Sequence, residues 1–102
     1  MANDKETEHK LLIAEYYELK DKAEEDARMR RSMLNYIPYE VRSLDEDDPI
    51  DATRLKTMVQ NLEDADHSLR KVVQRVNSVA ALCGKPEITV RSLLFKFGKR
   101  QS

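Results

Sequence analysis

The chain has 102 residues, with 36% charged and 40% apolar residues, a net charge of −1, two glycines, three prolines and one cysteine. That length allows one helical domain over residues 1–102 with a modest core, and the composition excludes a disulfide scaffold and argues against a disordered chain. With no apolar segment of the kind that opens a secretory signal and no run near 18 apolar residues, an intracellular, cytoplasmic protein without a membrane span is expected.

The small net charge hides an asymmetry. Residues 1–51 carry 15 acids and 8 bases, whereas residues 52–102 carry 4 acids and 10 bases. A basic second half calls for an acidic partner, and the first candidate is the chain's own acidic first half.

The first predicted helix spans about residues 4–34. Its apolar stripe is His9, Leu12, Ile13, Tyr16, Leu19, Ala23, Ala27, Met33 and Leu34, interrupted at Asp26 and Arg30. A connection over 35–47 follows, because Pro38 pushes Ile37 out of helical geometry. Its first part is apolar and aromatic, with Tyr36 and Tyr39; its second part is acidic. Asp45, Asp47 and Asp48 lack the glycine and terminal glutamate of a calcium loop, so no metal is expected.

The second predicted helix runs over about 49–83. Asp48 reads as its N-cap, Pro49 as its first residue and Gly84 as its stop. Leu55, Leu62, Leu69, Val76 and Cys83 recur every seven residues; Met58, Ala65, Val72 and Val79 lie three further on, and Val59, Val73 and Ala80 four further on. Asp66 interrupts the stripe. A helix of this length, about 50 Å, cannot bury such a stripe alone. Folding the two helices antiparallel about residue 42 pairs Tyr16 with Leu69, Leu19 with Ala65 and Ala23 with Leu62. It also brings Glu6, Glu8, Glu15 and Glu18 alongside Arg70, Lys71 and Arg75.

A third helix is predicted over about 86–97, from Pro86 to Phe97. Val90, Leu93, Leu94 and Phe97 form one apolar face, and Ile88 and Phe95 fall on another. The fold class is therefore all-α: a long antiparallel, coiled-coil-like helical hairpin plus a short C-terminal helix.

Little in the chain points to catalysis. His9 and His67 are isolated, Cys83 lies on the stripe, and no zinc spacing, phosphate loop or Gly-x-Ser-x-Gly element occurs. A non-enzyme without cofactor or metal is expected. The leading reading is a protein-protein interaction module, a small scaffold, assembly factor or chaperone-like binder. Its partner is itself, in a dimer or higher bundle, or another helical protein. Ile88, Phe95, Tyr36 and Tyr39 are the partner-facing candidates.

One segment supports an alternative. Ala80, Gly84, Thr89-Val90 and Leu93 within residues 78–94 match a spacing that resembles the helix-turn-helix of the LacI repressor family. In that family the second helix enters the DNA major groove. The resemblance implies a small DNA-binding regulator, with Lys85, Thr89 and Arg91 near bases and Lys96, Lys99 and Arg100 near phosphates. Here the pattern follows a long helix, and Pro86 lies within the turn. A helix C-cap followed by a docking helix is the reading ranked ahead of it.

Overall fold

A computed structural model describes residues 2–44 and 49–97. It consists of α1 (Ala2–Ser43), α2 (Thr53–Cys83) and α3 (Val90–Phe97), with no strand among the described residues. α1 and α2 form a hairpin measuring 74 × 27 × 14 Å together with α3, so the all-α hairpin with a short C-terminal helix is what the chain adopts.

The predicted connection over 35–47 is corrected at its first part. α1 continues through Pro38 to Ser43. An internal proline removes one helical hydrogen bond and crowds the preceding turn. Two features favour continuation. Arg30, Ile37 and Leu44 keep the seven-residue spacing that faces α2, and Glu40 reaches Arg54 of α2 at 3.2 Å. Past the proline, Arg42 Nε donates to the Pro38 carbonyl and Ser43 Oγ to the Glu40 carbonyl.

The start of α2 also differs. Asp48 lies outside the described residues, and Pro49 and Ile50 precede the helix. α2 opens at Thr53, whose N–H donates to Asp51 Oδ1 at 3.0 Å. The Thr53 hydroxyl, and secondarily its N–H, hold the Asp51 carboxyl below the usual carboxylate range. The end of α2 matches expectation. Gly84 takes φ 72°, and both its N–H and that of Lys85 reach the Ala80 carbonyl. A left-handed residue at this place is cheap for glycine alone.

The longer α1 moves the fold-back point. Asp26 accepts from Ser68 Oγ at 3.1 Å, Arg30 pairs with Asp66 at 2.9 Å, and Glu40 pairs with Arg54. These pairs reflect about residue 47, not residue 42. The register therefore sets Ala27 level with Leu69, Ala23 with Val72 and Val73, Leu19 with Val76, and Tyr16 with Val79 and Ala80. The pairings expected around residue 42 are displaced by about three turns. Small α1 residues still oppose large α2 residues, and Ala23, Ala27, Leu69 and Val76 are fully buried. The electrostatic expectation survives as one long contact, Glu15 to Arg75 at 4.0 Å.

The polar interruptions of the two stripes meet each other. Arg30 and Asp66 bond across the seam, and Asp66 also takes Arg70 at 2.9 Å. The Arg70 guanidinium, with Arg30 assisting and burial opposing, holds the Asp66 carboxyl below its ordinary value. A slip of one turn breaks this cluster, so it fixes register as polar seam positions do in coiled coils.

α3 begins at Val90, not Pro86. Residues 85–89 are an irregular connection. Asn77 clamps it: its Nδ2 donates to the Ile88 carbonyl at 2.9 Å and its Oδ1 accepts the Ile88 N–H at 2.8 Å. Tyr16 Oη donates to the Pro86 carbonyl at 2.8 Å. Thr89 caps α3 by accepting the Ser92 N–H on Oγ1. Leu93 is buried, and Val90, Leu94 and Phe97 pack beside it, as their shared face predicts.

Candidate functional site

The core ends abruptly. Every buried side chain of the hairpin lies at or before Ala27 on α1, or at or after Leu69 on α2. α3 explains the limit. Tyr17, Lys20, Glu24 and Arg28, one face of α1, line its path, and Arg28 stacks over the Phe97 ring at 4.6 Å. Where α3 stops, a third helix stops, and so does full burial. Among the described residues between Arg28 and Ser68, no side chain is buried. Leu55, Met58, Leu62, Met33 and Ile37, all seam residues, are only half-buried there.

That half carries an apolar groove of about 470 Å³. Met29, Ser32, Met33 and Tyr36 line it from α1, and Met58 and Asn61 from α2. No lining residue is charged. Met29 is 48% and Tyr36 51% exposed. Tyr39 stands beside Tyr36, ring centroids 6.4 Å apart, with the Arg42 guanidinium over its ring. Tyr36 and Tyr39, expected in a loop, stand on α1; Met58 joins them from the α2 stripe, and Met29 and Ser32 belong to neither predicted stripe. The spacing of 29, 32, 33 and 36 puts them on one helical face once the helix is carried two residues beyond Leu34.

The other two partner-facing candidates separate. Ile88 is half-buried against the core and clamped by Asn77, so it serves the fold of this chain. Its position off the α3 face follows from its lying before the helix. Phe95 is 73% exposed on α3.

The residues suggested by the helix-turn-helix resemblance do not share one helix. That motif joins its helices by about three to four residues; here residues 84–89 intervene, and α3 has 8 residues. Lys85 lies in the connection with its Nζ 5.5 Å from the Tyr17 ring, and Thr89 is the cap. Arg91 is exposed. Lys96 Nζ sits 5.3 Å from the Phe97 ring. Lys99 and Arg100 lie outside the described residues.

A second groove, about 510 Å³, runs between α1, residues 85–88 and α3, with Lys20, Lys85 and Lys96 balanced by Glu24 and Glu87. Cys83 is buried, and His9 and His67 are exposed. Among the described residues no three His, Cys, Asp or Glu side chains converge, and no helix is long and apolar enough to cross a membrane. Asp45, Asp47 and Asp48 lie outside the described residues. Comparison with protein-family models, with characterised proteins and with solved structures gave no match.

Proposed function

We propose that this chain is a non-enzymatic protein-protein interaction module of the cytoplasm, a small scaffold or assembly factor that works by helix packing. One observation carries the reading: the hairpin half between Arg28 and Ser68 has an apolar seam and an apolar groove but, among the described residues, no buried side chain. Surface area supports it. The chain exposes 7943 Å², whereas a compact protein of 11.9 kDa exposes about 6,000 Å². The excess, about 2,000 Å², leaves ample room for the roughly 800 Å² that each partner of a standard interface covers. Met29, Met33 and Met58 suit such a surface, since thioether side chains adapt to a partner's contours.

A photo-crosslinking residue at Tyr36 or Tyr39, in the full chain expressed in its native host, tests the reading. Protein adducts at these positions, and none from a probe at the exposed Gln74 of the packed half, are the expected result. Absence of any adduct at Tyr36 and Tyr39 refutes it, and adducts to nucleic acid from a probe at Arg91 favour the DNA-binding alternative.

A further inference from the structure

We infer that the occupant of the Met29–Met58 groove is a second copy of this chain, docked antiparallel about a two-fold axis over the groove. The inference rests on the interaction reading above and names its partner.

Three observations favour a second copy. The first is size. The uncovered stretches, 28–43 of α1 and 53–68 of α2, are each about 24 Å long and together about 20 Å wide. Their flat footprint, about 480 Å² per copy and about 960 Å² for a pair, lies near the roughly 1,000 Å² at which specific interfaces begin. The second is what is missing. The packed half has a third helix over its seam, and among the described residues this half has none. A second hairpin laid face to face supplies two helices at once and converts a single layer into a four-helix arrangement, in which the half-buried Met33 and Met58 lose water on their remaining side. The third is self-complementarity. A two-fold interface requires one patch to fit itself. Met29, Met33, Tyr36 and Met58 supply its apolar surface, and Ser32 and Asn61 are its two uncharged polar members. Because none of the six groove-lining residues is charged, superposing the groove on itself sets no like charges against each other within it.

The Arg30–Asp66 cluster lies at the border of this face, where the self-packed half meets the half awaiting a partner. A paired polar contact there closes one core before the other begins.

Sedimentation equilibrium of the purified full chain, at micromolar concentration, tests the inference. The expected mass is twice the 11.9 kDa of the chain. Ser32→Arg fills the groove from an exposed helical position and is expected to weaken association by about 30-fold or more, the level of an interface hot spot. Met29→Lys is a second route to the same result should Ser32→Arg lose helicity. Gln74→Arg, on the packed half, is expected to remain dimeric. A wild-type dimer that both groove variants leave intact overturns the placement and leaves the interaction reading standing. A wild-type monomer throughout the micromolar range overturns the second copy as partner. The Tyr36 probe then separates the cases: a captured protein of another kind keeps the interaction reading, and no adduct ends both.

Discussion

Replacing Leu69 by alanine is the sharpest test of where the core lies. Leu69 is fully buried, level with Ala27, at the point where the hairpin passes from packed to uncovered. Its neighbours across the seam are an alanine and, one turn on, Ala23, so little side chain is available to collapse into the void. Leu-to-Ala changes at rigid sites cost about 2–5 kcal/mol, the transfer term plus a cavity term, and about 3 kcal/mol is taken here. For a chain of this size each kcal/mol moves Tm by about 4–8 °C, so a fall of about 12–24 °C is expected. Leu62 occupies the same heptad position one repeat earlier but is only half-buried. Its truncation forfeits most of the transfer term but opens no closed cavity, about 2 kcal/mol, or a fall of about 8–16 °C. Circular dichroism melts of both variants, in dilute solution at one fixed concentration, give the comparison. Equal shifts, or a fall below about 5 °C for Leu69→Ala, refute the division of the hairpin into a packed and an uncovered half.

Two further outcomes follow from single contacts. Asn77→Leu removes both hydrogen bonds to Ile88, leaves a half-buried carbonyl and N–H unmatched, and should cost about 1–3 kcal/mol; amide exchange should quicken over Leu93–Phe97 while Val72–Val76 stay protected, and unchanged protection of α3 would show that apolar docking alone holds it. The lowered Asp66 carboxyl contributes stability that is present above the unfolded carboxylate value of about 3.9 and is lost as pH falls through the folded value below it. The Tm difference between wild type and Asp66→Asn should accordingly be constant from about pH 5 to 7 and shrink below about pH 4; a difference independent of pH would mean that the Arg70 and Arg30 contacts add nothing for the charged form.

The sequence by itself determined the class of fold, because period and punctuation are local properties. The apolar repeat every seven residues from Leu55 to Cys83, Gly84 with its left-handed φ, and the Val90–Leu93–Leu94–Phe97 face all needed only near neighbours to be read, and α2, its cap and the docked face stand in the structure. Register was decided by the tertiary structure. The local preference of Pro38 argues for a helix end, yet α1 continues to Ser43 and pairs Glu40 with Arg54 of α2, a contact no window of sequence contains. Nine more helical residues then move the reflection point by about five positions and every facing pair by about ten. The same holds for the site. Asp26, Arg30 and Asp66 look like flaws in two separate stripes until the hairpin closes and Asp66 meets Arg30. The groove is invisible in either helix alone, since Met29 and Met58 become neighbours only when the chain turns back. The surroundings of Ile88 were hidden for the matching reason: Asn77 lies on another element, and only folding brings an amide side chain to the backbone of a residue eleven positions away.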